Sequence, residues 1–205
     1  MTLHFKLLVC FLLLGFSSFA DKIPGYYIKT NGDTVHTLIK VKLRGTLNPT
    51  TNEIENLKPD IIFLEKNIEC YGEDKKKYDV YPIQAKEFGF VYEKILYRFL
   101  SRKDNLNINR YGDTYIFMKL EVDGYLKLFD VDLYNFKTGF RIDRFIVQKG
   151  DDPLVMLVRS NFDKQAADFF YECFDLSVMI RSKQYTIVDM KAIVEYYNEW
   201  YLEQQ

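Results

Sequence analysis

Carboxylates are the most plentiful groups in this chain that could do chemistry: it holds 29 Asp+Glu but only 2 His and 3 Cys. Asp130 and Asp132 lie two apart on a candidate strand, and Asp151-Asp152 follow Gly150 in a loop. Two acids held across a cleft can hydrolyse a glycosidic bond, and hard carboxylate oxygens can bind calcium. Acids spaced by two on a strand more simply share its solvated face, and no D-x-D-x-D-G loop is present. No catalytic set is therefore assigned, and polysaccharide hydrolysis through Asp130, Asp132, Asp151 and Asp152 stands as an alternative.

Histidine narrows the chemistry further. His4 falls in an apolar N-terminal stretch, which leaves His36 beside Thr34, Lys40 and Lys42 on what should be the solvent-facing side of a hairpin. A zinc site needs several nitrogen or sulfur ligands and no H-x-x-x-H pair occurs, so no metal is assigned. The chain also lacks a G-x-S-x-G elbow, a G-x-x-x-x-G-K-[ST] loop and a G-x-G-x-x-G loop, so no cofactor is expected. With 28 Lys+Arg against the acids the net charge is -1, which gives a nucleic-acid backbone no electrostatic footprint.

Aromatic side chains offer binding instead of catalysis. The chain has 16 Tyr and 17 Phe with a single Trp. Tyr26, Tyr27, Tyr78, Tyr81, Tyr92, Tyr97, Tyr111, Tyr115, Tyr125 and Tyr134 recur along the first three quarters of the chain. On a sheet face they can stack on sugars or anchor a protein; equally, Tyr is a favoured strand residue and these rings can rim a core. Both readings stay open. Trp200 reads as a packing residue.

The N-terminus reads as a secretory leader over residues 1–20: Lys6, the apolar run Leu7 to Phe16, and small residues Ser18 and Ala20 before a cleavage point at Asp21. The run is shorter than the ~20 residues of a membrane-spanning helix, so no stable membrane span is expected after cleavage, and the product would be periplasmic or extracellular. Cys10 leaves with the leader. Cys70 and Cys173 then either form one bridge in an oxidising compartment or stay as two buried thiols.

Turn chemistry and periodicity lay out the rest as one domain over 21–205, β-rich over 24–158 and helical over 161–203. Asn31-Gly32-Asp33 before the alternating Val35, Thr37, Ile39, Val41 and Leu43 predicts a hairpin. Arg44 to Pro59 reads as a surface loop, and Ile61 to Cys70 and Lys77 to Tyr81 as strands. Glu93-Lys94 predicts a tight turn between Phe88–Tyr92 and Ile95–Phe99. Asp123-Gly124 predicts a hairpin with positive φ at both central residues. Lys137-Thr138-Gly139 separates two further strands, and Leu154 to Val158 predicts a buried one. Helical spacing follows over Phe162 to Phe174, a short turn over Leu176 to Ile180, and a capping box at Thr186 and Asp189 opens a last helix to about Leu202. Strands first and helices last predict α+β: an antiparallel twisted sheet or partial barrel followed by two or three C-terminal helices.

Three segments carry a family likeness: Gly25 to Thr34 (GYYIKTNGDT), Val80 to Phe88 (VYPIQAKEF) and Tyr196 to Trp200 (YYNEW). With the leader, they make the chain resemble a group of uncharacterised exported β-rich bacterial envelope or periplasmic proteins. The resemblance implies export and the α+β layout, and brings no functional residue with it. The expectation is a non-enzymatic envelope or periplasmic interaction module with a protein or glycan partner. A carboxylate-dependent hydrolase and a carrier of a small apolar ligand are the alternatives.

Overall fold

A computed structural model describes the backbone of residues 18–47, 54–59, 64–65, 67–108, 115–134 and 141–205. Most of the predicted leader and the Lys137-Thr138-Gly139 turn lie outside these described residues. Twelve strands, β1 (Ser18–Lys29), β2 (Thr34–Leu47), β3 (Ile54–Pro59), β4 (Leu64–Glu65), β5 (Ile68–Tyr71), β6 (Lys77–Val80), β7 (Ala85–Tyr92), β8 (Ile95–Lys103), β9 (Tyr115–Val122), β10 (Leu126–Tyr134), β11 (Arg141–Lys149) and β12 (Val155–Val158), precede three helices. These are α1 (Phe162–Phe169), α2 (Phe174–Arg181) and α3 (Met190–Glu203). The fold is α+β, with one antiparallel sheet whose ten-strand path runs β12-β11-β10-β9-β8-β7-β1-β2-β5-β6 without closing. β3 adds to β2 and β4 adds to β9.

The turns sit where composition places them. Gly32 takes a φ of 99° between β1 and β2, and Glu93 and Lys94 both take positive φ between β7 and β8, the backbone a two-residue hairpin needs. The segment read as a loop over Arg44 to Pro59 is partly strand: β2 runs on to Leu47 and pairs with β3. The predicted helix over Phe162 to Phe174 ends at Phe169, and a second one begins at Phe174. The Thr186 box forms, with the Asp189 carboxylate accepting from the Thr186 amide and hydroxyl at 2.8 Å each.

Curvature follows from connectivity. Phe117 and Met118 of β9 pair with β8 on one side and β4 on the other, while Ile39 of β2 lies between Ile23 of β1 and Cys70 of β5. In a flat sheet β4 and β5 would be six strand spacings apart, roughly 29 Å. The five residues from Glu65 to Cys70 span at most about 17 Å. The sheet must therefore curl until its two edges face each other across a common interior. Ile23, Tyr27, Ile39, Val41, Ile68, Val80, Phe88, Phe90, Phe99 and Phe117 line that interior.

The opposite face of β8 and β9 is also covered. Leu100, Ile116 and Met118 pack with Phe129 and Ile146 from β10 and β11. On the far side of β10–β12, Leu126, Leu128, Val147 and Leu157 meet Phe162, Ala166, Phe170, Ile193 and Tyr197 of the helical layer.

Two polar devices fasten the helices. Asn198 on α3 clamps the backbone of Leu126, accepting from its N–H at 2.8 Å and donating to its C=O at 2.9 Å. That clamp explains Gly124. Its φ is not positive; instead, a Cβ at Gly124 would stand 2.5 Å from the Asn198 amide. Lys149 of β11 donates to Phe169 O at 2.7 Å and Glu172 Oε1 at 2.6 Å, with its ammonium 4.3 Å from the Phe169 ring centroid and 5.0 Å from that of Tyr197. The Tyr197 hydroxyl donates to the same Glu172 oxygen.

Asn198→Ala should destabilise the fold by about 1–3 kcal/mol, because it orphans a backbone N–H and C=O together; the urea midpoint checks this. Burial raises the Glu172 carboxyl pKa, but the Lys149 and Tyr197 hydrogen bonds bring it below its ordinary value. A lowered carboxyl contributes stability above the ordinary Glu pKa of about 4.3 and loses it as pH falls through the folded value. Lys149→Met should therefore lower stability at neutral pH and flatten its decline on acidification, as read from denaturant midpoints taken along a pH series.

Candidate functional site

The inside of the curled sheet is not completely filled. A cavity of about 200 Å³ lies against Ile39, Val41, Ile68, Phe88, Phe90 and Phe99, with Lys40, Lys42, Asn67 and Glu69 around it. Its position follows from strand register. β5 pairs with β2 at Leu38 and Ile39, and β3 pairs with β2 from Leu43 onward. Between them, among the described residues, the outer edge of Lys40, Val41 and Lys42 pairs with neither strand. The cavity reaches the surface there, at a slot bordered by Lys40, Lys42, Asn67 and Glu69.

Strand alternation sorts the lining. Ile39 and Val41 point inward, so Lys40 and Lys42 stand on the outer face. Phe88 and Phe90 of β7 also point inward, and Phe88 stacks on Phe99 with centroids 4.4 Å apart and planes within 3°. Phe117 meets Phe88 edge-on at 4.8 Å. The wall opposite the slot is therefore a packed aromatic surface.

The outer side of that wall is held by charge. Arg98 binds both oxygens of Glu87, at 3.0 and 2.9 Å, and reaches Asp123 at 2.7 Å. The Tyr26 hydroxyl donates to Glu87 Oε1 at 2.6 Å. Gly89 makes this possible, since a Cβ there would lie 2.8 Å from the Tyr26 hydroxyl. Burial, then the Glu87 carboxylate, pushes the Tyr26 phenol up to about 12, so it stays a donor at neutral pH. The Glu87 bond likewise raises the Arg98 pKa. The network fixes β1, β7 and β8 and so positions the rings that line the cavity.

At the slot, Lys40 bonds Glu69 at 2.9 Å and Lys77 bonds it at 3.1 Å. These two hydrogen bonds, Lys40 first, lower the Glu69 pKa. Lys22 of β1, directly opposite Lys40 in register, lies 3.7 Å above the Tyr71 ring. Lys42 makes no ion pair among the described residues.

The residues singled out from sequence are elsewhere. Asp151 and Asp152 are exposed in the turn between β11 and β12 and do not line the cavity. Asp130 and Asp132 lie in β10, opposite Phe145 and Asp143; their side chains fall outside the described residues. Cys70 and Cys173 are free thiols buried in different apolar clusters, so no bridge joins them. Burial pushes the Cys70 thiol up to about 12 and also raises that of Cys173. His36 is exposed on the outer face of β2.

The tyrosines divide. Tyr27, Tyr78, Tyr92 and Tyr97 pack in or against the curled interior, whereas Tyr81, Tyr115 and Tyr125 are exposed. The side chains of Tyr111 and Tyr134 lie outside the described residues. Exposed apolar side chains gather instead where α1 meets α2, at Tyr171, Phe174 and Val178. Trp200 packs beside Tyr197. Among the described residues no three His, Cys, Asp or Glu side chains converge on a common point, and no helix is long and apolar enough to cross a membrane.

The cavity residues carried only a core signal in the sequence. Each is an inward position of an alternating strand, and no residue type announces volume left unfilled beside it. Comparison of the chain with protein-family models, curated proteins and solved structures gives no match.

A raised pKa and full burial make both thiols poor nucleophiles. Cys70 and Cys173 should therefore resist a thiol-specific reagent in the native protein and react on unfolding in denaturant, as read by mass spectrometry.

Proposed function

We propose that this chain is an exported, non-enzymatic binding protein that holds a small apolar molecule inside its curled sheet. The carrying observation is the cavity between β2, β5, β7 and β8, where six apolar side chains meet a polar rim of Lys40, Lys42, Asn67 and Glu69. Unfilled apolar volume costs dispersion contacts and forfeits packing stability. An apolar guest restores both. A dry apolar cavity of about 150 Å³ accepts benzene; this one has a similar volume but opens to solvent on its polar side, so it suits the apolar end of a small guest.

The six inward residues carry no titratable group and the thiol buried in the same cluster is held protonated, while Lys40, Lys42 and Glu69 stand at the rim. The exposed Tyr171, Phe174 and Val178 are compatible with an envelope partner, but they lack a concavity that selects one. Export rests on the leader-like N-terminus, and the envelope setting on the family likeness.

Methyl-detected NMR titration with toluene and short alkyl or aryl alcohols should shift the resonances of Ile39, Val41 and Ile68 and leave those of Ile180 and Ile193, in the helical layer, in place. Val41→Phe or Ile68→Phe should fill the cavity and abolish these shifts while circular dichroism stays native. Shifts spread evenly over both cores, or retained in both filled variants, would contradict internal binding.

A further inference from the structure

The proposed apolar guest leaves open what its exposed end looks like, and the slot bears on that. We infer that the cavity takes an anionic amphiphile: an aryl or short alkyl carboxylate whose apolar part lies against Phe88, Phe90 and Phe99 and whose carboxylate sits at the slot. This inference rests on the internal-binding reading above.

The charge arrangement at the slot carries the argument. Lys22 and Lys40 stand directly opposite one another across β1 and β2, and Lys42 follows two residues later on the same face. Opposed like charges destabilise a sheet, so this grouping works against the fold unless something negative offsets it. Glu69 offsets part: it receives Lys40 and Lys77 together. Asp79, opposite Glu69 in register, also lies at that end. Lys42 is displaced along β2 away from both acids, toward the Asn67 side of the slot, and has no ion pair among the described residues.

Geometry limits where the anion can be. The lysine side chains are on the outer face of β2, while the cavity interior presents Ile39, Val41 and Ile68. A carboxylate pushed inside would be desolvated without a partner, which is prohibitive. One left at the opening keeps water, meets the Lys42 ammonium, and can accept from the Asn67 side-chain amide. A cationic headgroup in the same place would be repelled by the Lys42 ammonium, and a neutral one would leave its field unused.

The test is a matched series titrated by calorimetry and methyl NMR: hydrocinnamate, its neutral amide hydrocinnamide, and phenylpropylamine. Hydrocinnamate should bind tightest and phenylpropylamine weakest, and salt should narrow the gap. Lys42→Gln should weaken hydrocinnamate by about three- to fivefold, the scale of a partly exposed ion pair, and leave hydrocinnamide unchanged. Lys42→Glu should reverse the order of acid and amine. Lys42 is exposed, so these variants should fold; native methyl spectra check this. Equal affinity for all three probes, or an unchanged order in Lys42→Glu, overturns the anionic headgroup and leaves internal binding standing. No binding by any of the three, together with no shift from toluene, overturns both.

Discussion

A five-residue tether sets the shape of this protein. Because Glu65 belongs to the edge of β9 and Cys70 to the edge of β2, the strands between them cannot lie flat. Every inward side chain of β1, β2, β5, β7 and β8 is thereby directed at the same small volume. The tether also explains why the curl is incomplete. Among the described residues, β4 and β5 follow one another along the chain and do not pair, and β2 is partnered by two short strands with a gap between them. The cavity is the volume behind that gap.

Charge and packing hold complementary parts of the architecture. Behind the aromatic wall, Glu87 with Arg98, Tyr26 and Asp123 forms a half-buried network on the outer side of the same strands. Such a network adds little net stability when complete but is costly to break. Its value here is positional, since it fixes the spacing of three strands whose inner faces carry the cavity rings. On the helical side, Lys149 and Asn198 each reach from one layer into backbone or carboxylate groups of the next. The helices are thereby held to β10–β12 at defined points, and the second core they cover leaves the curled half independent of them for its interior.

Much of the layout is legible residue by residue. Asn31-Gly32-Asp33 and Glu93-Lys94 mark hairpins because few residues tolerate the backbone those turns require. Thr186 and Asp189 mark a helix start because their side chains satisfy its free amides. The failures are equally physical. Asp123-Gly124 marked the right hairpin for the wrong reason: the glycine is there for the approach of Asn198, which is 74 residues distant in sequence. The stretch after Arg44 hid the pairing of β2 with β3, because its polar, Pro-containing sequence shows no apolar alternation to mark a strand. Asp151 and Asp152 lie in a turn, as their place after Gly150 indicates, and of the two readings of Cys70 and Cys173 the structure has the buried free thiols, one in each of two cores.

Local chemistry is what the sequence determined by itself: the alternation of strands, the turn positions, the helix start, the lack of clustered histidine, and the α+β order. These depend on neighbours within a few residues, whose steric and hydrogen-bonding demands are independent of the remote chain. The tertiary structure alone decided that the aromatic excess faces both inward and outward, and that a cavity bordered by Lys40 and Lys42 lies inside the curled sheet. Those outcomes depend on how far a short tether can reach and on volume left between side chains from four different strands, and neither quantity belongs to any one residue.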